Sequence, residues 1–212
     1  MEEDDETSKV IPRWVELEYK HMLTLAGGES EVHFTHLSKS SCETLDSLFA
    51  QLPEISEKRG SGFAHLEGIL DFMKTRGVPI EQVCLLDPKA EKPLSPEDGD
   101  GRFSFFLFGG ILGDDPPRDR TSELRTRVLG FPTRHLGSIQ MTTDTALGVT
   151  KIIVEDKVPL TKIPYVDYPT IVFNSKESVE MPFRYISMNG EPRLPPGMRE
   201  HLHADLNQSF EF

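Results

Sequence analysis

Apolar runs of strand length alternate with segments of helical periodicity along most of this chain, which predicts an α/β protein with a mainly parallel sheet. Two further observations support that class. Phe103, Phe105, Phe106, Leu107 and Phe108 form an almost unbroken apolar run, the signature of a strand buried on both faces. This run stops at Gly109-Gly110, and two other predicted strands end in similarly loop-like sequence, LLDP (85–88) and HLGSIQMTTDTA (135–146). Ligands of open α/β sheets gather at such carboxyl ends.

The elements follow in order. Residues 12–26 read as a helix, with Trp14, Leu17 and Leu25 among its apolar positions and Gly27-Gly28 as its stop. EVHFTHL (31–37) alternates as a strand. A short helix starts at Ser40 or Ser41 and carries Leu45, Leu48, Phe49 and Leu52. A second is expected over Phe63–Arg76, with Leu66, Ile69, Leu70 and Met73 on one face and Gly77 as its cap. Gln82–Leu86 is a strand that ends in Asp87-Pro88, followed by a polar loop over 88–102 and the buried strand 103–108. Thr121 caps a helix through Val128, and a brief strand covers 131–136. Thr142 or Thr143 caps a helix whose inward face holds Ala146, Val149, Ile152 and Ile153. Beyond Pro159 short strands are expected over 163–174 and 182–187, then a proline-rich stretch and a final short helix. The core is expected over 1–158, with 159–212 as an extension packed on it.

Composition narrows the partners. The chain has 212 residues, 37% hydrophobic and 27% charged, the balance of a globular domain. No apolar run reaches the roughly 18 residues that cross a bilayer, and MEEDDE lacks the basic and apolar regions of a secretory signal. Cys42 and Cys84 are too few for a disulfide framework; Cys84, within a strand pattern, reads as a packed thiol. A reducing, cytoplasmic compartment is expected. The net charge of −12, from 23 basic and 35 acidic residues, disfavours RNA contact and favours a basic protein partner.

Several chemistries lack their motifs. GxxxxGK[ST], GxGxxG and GxSxG are missing, and neither cysteine has a histidine at a diagnostic spacing. His201 and His203, near the end of the chain, read as solvated rather than metal-binding, so no metal is expected. The strongest motif is FGGILGDDPPRDRT (108–121). Glycines there let backbone approach a ligand, while two prolines stiffen the charged loop that follows.

FGGILGDDPPRDRT, together with QMTTDTA (140–146) and EMPFRY (180–185), resembles the SPOUT methyltransferases. The likeness runs from Trp14 to about Gly197 and is densest from Val83 to Ala146. Within that superfamily it is similar to the branch containing a fungal protein-arginine methyltransferase that acts on a small-subunit ribosomal protein. The resemblance implies S-adenosylmethionine as cofactor and a C-terminal trefoil knot. It implies a cofactor site of Leu86, Phe108, Gly109, Gly110, Gly113, Leu136, Met141, Thr142, Thr143 and Ala146. The acids Asp114, Asp119, Asp144 and Glu180 become candidates to hold a substrate guanidinium and accept its proton, since paired carboxylates match that planar fork. Asp114 or Asp119 is expected to engage the substrate arginine, with Asp115, Arg118 and Arg120 shaping the substrate contacts. Asp115 stands where a histidine is expected in related chains. Members of the branch also carry a short apolar strand ahead of an acidic stretch like Met1-Glu2-Glu3. The expectation is therefore a sheet lacking its first strand, or translation beginning upstream. Two other functions stay open at this point: an RNA methyltransferase and a non-catalytic ribosome-associated binding protein. Monomer and homodimer are both open.

Overall fold

The computed structural model describes residues 11–52, 59–109 and 130–208. The chain opens with helix α1 (Arg13–Ala26), ended by Gly27 at φ 70°. Strand β1 (Glu31–Phe34) follows, then α2 (Lys39–Ala50), where the Ser38 side chain accepts the Ser41 N–H and so caps the first turn.

The expected helix over Phe63–Arg76 is instead two elements. Ser61–Ala64 form strand β2, parallel to β1, and only Ile69–Arg76 are helical (α3). The reason is close packing at Gly62: a Cβ there would lie 2.8 Å from two ring carbons of Phe49. Strand pairing at that bare backbone outweighs the helical spacing of the apolar residues. Leu66 falls in the connection and is 59% exposed, while Phe72 and Met73 carry the buried face of α3. Gly77 takes the left-handed conformation at its end, as its position predicts.

The central parallel unit has β3 (Val83–Leu86) between β4 (Phe105–Leu107) and β5 (Thr133–Arg134). All four residues of β3 are buried, as its apolar run requires. Strand β4, expected to be buried, is half-buried along its length, because its second edge has no strand partner among the described residues. A short 3-10 turn (Pro96–Gly99) interrupts the loop ahead of it. Helix α4 (Thr143–Val154) packs on α1 and buries Val149 and Ile153 completely; Ala146 is half-buried and Asp144, Thr145 and Gly148 turn inward.

The C-terminal part is antiparallel. β6 (Tyr165–Asp167) and β10 (Glu191–Pro192) flank β9 (Arg184–Met188), while β7 (Thr170–Val172) pairs with β8 (Ser178–Glu180). Helix α5 (Met198–Gln208) closes the described chain and packs on α1. His203, expected to be solvated, is half-buried: its ring stacks on Phe173 and lies 3.0 Å from Glu177 Oε2. The helix expected from Thr121 to Val128 lies outside the described residues, as does the chain path through 110–129 on which the expected knot turns.

Three apolar clusters make the core. Helices α1 and α2 with β1 form the first, around Leu23, Phe34 and Leu45. The second joins β3, α4 and β9 through Cys84, Val149, Ile153 and Ile186. The third seats α3 on β3 through Phe72, Met73 and Leu85.

Candidate active site at the carboxyl ends of the parallel strands

Strands β3, β4 and β5 share a direction, so their carboxyl ends meet on one side of the sheet. Leu86 ends β3, Phe108 follows β4, Leu136 follows β5, and Met141 leads into α4. All four belong to one apolar cluster. The structure therefore brings together four of the residues assigned to the cofactor, drawn from four places in the sequence. Apolar walls with a few directed polar groups are the general form of a cofactor pocket.

A rigid support lies behind these ends. Arg134 of β5 donates twice to Asp98 of the 3-10 turn, Nε to Oδ2 at 2.8 Å and Nη2 to Oδ1 at 2.7 Å. Asp98 is 3% exposed, so this two-point pair is largely shielded from water. Backbone bonds between Leu94 N and His135 O, and between His135 N and Lys92 O, both 2.9 Å, tie the preceding loop to the chain beyond β5. Asp87, almost fully buried at the end of β3, accepts the Lys89 N–H at 2.8 Å and fixes that turn.

Polar groups come from the first turn of α4. Thr142 occupies the N-cap position, but its hydroxyl donates to Thr145 Oγ1 at 2.8 Å and caps no backbone amide. First-turn amides have no acceptor inside their own helix, so Thr142, Thr143 and Ala146 bracket donors suited to a polar ligand edge. Cofactor and open amides fit each other in this respect, and the apolar cluster beside them fits an adenine ring. Asp144, on the same turn, faces α1 instead: its Oδ2 lies 2.7 Å from His21 Nδ1, both side chains are buried, and Oδ1 has no hydrogen-bond partner.

Sequence reasoning missed the α1 side of this arrangement. Glu18 is 6% exposed, and burial first, then the charge of Asp144, raises its carboxyl to about 8. Tyr185 of β9, also buried, is pushed upward by burial and by Asp144 and Glu18. A signal for Glu18 existed: it sits three residues after Val15 and four before Met22, on the buried face of α1. Burial likewise raises the Cys84 thiol to about 12, which makes it an inert packing group.

The C-terminal part frames the site through Arg184. Its backbone N–H donates to Gln140 O at 2.8 Å, and a bridge pairs Met141 with Arg184. Its guanidinium donates to both oxygens of Asp167, at 2.6 and 2.8 Å, and lies 4.6 Å from the Tyr165 ring centroid. Glu180, by contrast, is exposed on β8, opposite Thr170, in the separate β7–β8 ribbon. Gly109 follows β4 and is half-buried. Gly110, Gly113, Asp114, Asp115, Arg118, Asp119 and Arg120 lie outside the described residues. Among the described residues no helix is long and apolar enough to span a membrane.

Comparison with known proteins agrees with this geometry. Residues 1–209 match the family described as Protein arginine N-methyltransferase SFM1-like. The chain is 41% identical over 203 residues to Protein arginine N-methyltransferase SFM1 of Saccharomyces cerevisiae, covering 93% of this chain and 92% of that one. It is similar to the crystal structure of yeast arginine methyltransferase SFM1 complexed with SAM, with a TM-score of 0.76, 36% identity, and 94% of this chain and 88% of that chain covered. The SAH complex of the yeast enzyme gives a TM-score of 0.75 at 36% identity, over 92% of this chain and 91% of that one. An apolar cluster at parallel strand ends, an uncapped helix start beside it, and a match along nearly the full length lead to one assignment: this chain belongs to the SFM1-like family of protein arginine N-methyltransferases.

Proposed function

We propose that this methyltransferase modifies an arginine of a basic ribosomal protein, using S-adenosylmethionine, in the cytoplasm. The observation that carries the reading is the meeting of Leu86, Phe108, Leu136 and Met141 beside the open first turn of α4. Bound there, the cofactor supplies an electrophilic methyl group on a sulfonium. Leu86, Phe108, Leu136 and Met141 wall its apolar part; Gly109, Gly110 and Gly113 allow close backbone approach; Thr142, Thr143 and Ala146 bracket amide donors. The protein's work is then to position a nitrogen of the guanidinium for in-line attack.

A guanidinium is a weak nucleophile, because its charge is delocalised and its pKa lies above about 12. Asp114 and Asp119, which follow Gly110 in the sequence, are proposed to hold it by paired hydrogen bonds and to accept the proton released as the N–C bond forms and the methyl–sulfur bond breaks. Asp144 is buried against His21 and Glu180 is exposed on the separate β7–β8 ribbon, so this role is proposed for Asp114 and Asp119 alone, with Asp115, Arg118 and Arg120 orienting the substrate. The acidic balance of the chain, 35 acids against 23 bases, supports a cationic protein substrate over RNA. The resemblance supports a C-terminal knot and an extension over 159–212 packed on the core 1–158.

Labelled cofactor incubated with separated ribosomal proteins and ribosomal RNA tests the substrate class. Label is expected in one basic protein band, on arginine after hydrolysis. Label in RNA overturns the protein reading, and an absence of cofactor binding by calorimetry overturns the enzymatic one. Simultaneous D114N and D119N exchange is expected to abolish protein methylation while leaving cofactor affinity within threefold.

A further inference from the structure

Two side chains at the start of α4, Thr142 and Asp144, are of the kinds that ordinarily satisfy the first amides of a helix, and neither does so. The Thr142 hydroxyl is turned to Thr145 Oγ1, at 2.8 Å. The Asp144 carboxylate is turned out of its own helix toward α1. Its Oδ2 lies 2.7 Å from His21 Nδ1, and its Oδ1 has no hydrogen-bond partner. An ionised carboxylate only accepts, so Nδ1 of His21 carries the shared proton. Asp144 is 0% exposed, and among the described residues the amides of Thr143, Asp144 and Thr145 have no acceptor.

This arrangement runs against the local electrostatics. The start of a helix carries partial positive charge, and a carboxylate in the first turn is drawn to the amides beside it. Left to itself, Asp144 would swing onto those amides and close them. His21 supplies the opposing bond. The rest of the α1–α4 contact stands without this pair: at Gly148, one turn on, a Cβ would lie 3.3 Å from Leu25 Cδ1, and Lys151 donates to Ala26 O. The contacts His21–Asp144, Leu25–Gly148 and Ala26–Lys151 advance together, so α1 and α4 run the same way. His21 therefore meets α4 at the end that follows Met141 and the strand-end cluster.

We propose that His21 is a positioning residue for the cofactor: by holding the Asp144 carboxylate on α1, it keeps the first-turn amides of α4 open for a polar edge of S-adenosylmethionine. The inference rests on the cofactor reading given above and adds to it a residue that acts through another. A cap formed by Asp144 would have to break before the cofactor could use the same amides. Caps of this kind shift an equilibrium by about twofold to thirtyfold. Asp144 thus opposes cofactor binding when it is free and is neutral toward it when His21 holds it, so the two residues are coupled. A pair that served packing alone would behave differently, because loss of Asp144 would then weaken the cofactor as loss of His21 does.

Calorimetry of S-adenosylmethionine binding to the full chain is the test, with urea unfolding of each variant to establish that it folds. H21L leaves the carboxylate without its donor and is expected to weaken the cofactor about tenfold. H21N, whose amide donates from nearly the position of Nδ1, is expected to bind within about threefold of the parent. D144A removes the competing carboxylate, and H21L/D144A removes it with the total side-chain volume nearly kept; both are expected within about threefold of the parent. Rescue of H21L by the second exchange is the readout that a packing role would not give. D144A or the double variant weakened about tenfold overturns the proposal, and so does H21L that binds like the parent. Should H21L not fold, D144A and H21L/D144A decide by the same limits. A parent chain that binds no S-adenosylmethionine defeats the cofactor reading, and this inference with it, before any variant is compared.

Discussion

Replacing Glu18 by glutamine should remove a pH dependence of stability that the buried face of α1 creates. In the folded chain the carboxyl is raised from its ordinary 4.5 to about 8, by burial first and by Asp144 second. The folded state therefore holds a proton that the unfolded state has released throughout this interval. Stability falls as pH rises wherever the native state binds more protons, by about 1.4 kcal/mol per pH unit for one group. The contribution is complete below pH 4.5 and gone above about 8. Between pH 5 and 7 the loss is about 2–3 kcal/mol, a large part of a typical 5–15 kcal/mol. The amide of E18Q carries no proton to lose. The comparison is a pair of urea titrations at pH 5, 6, 7 and 8. The stability of E18Q relative to the parent should climb by about 1.4 kcal/mol at each step up to pH 7, then flatten. Titration of groups away from Glu18 contributes to both proteins and cancels in the difference. Placing the same exchange in a D144N background removes the second cause and should reduce the slope. A difference that stays constant across pH would show that Glu18 is ionised in the fold, and the electrostatic account of this cluster would fail.

Other substitutions test the support of the site. D98A leaves the Arg134 guanidinium without its shielded partner and should cost about 3–5 kcal/mol in urea unfolding, with D98N costing less. G99A drives a methyl group into the Val154 carbonyl, where only backbone can move, and should cost about 1–3 kcal/mol or more by the same measure. L85A empties a fully buried position of β3, for about 2–5 kcal/mol, read as a lower thermal midpoint. L136A strips one wall from the strand-end cluster and should weaken cofactor binding about tenfold by calorimetry, the effect of roughly 1.4 kcal/mol.

Legibility followed the physics of each segment. β3, with four consecutive buried apolar residues, and α4, with Val149 and Ile153 four apart, were plain in the sequence because burial alone specifies them. The strand β2 was not, because Ser61–Ala64 is half-buried and its reason for pairing is the close approach of Gly62 to Phe49, a contact 13 residues away. The strand ends were legible as ligand loops, the residues proposed to hold the cofactor came from the resemblance, and the fold brings Leu86, Phe108, Leu136 and Met141 to one cluster. Glu18 and His21 escaped notice because their role depends on Asp144, over 120 positions later. An acid on an apolar face is the only local trace of such a pair.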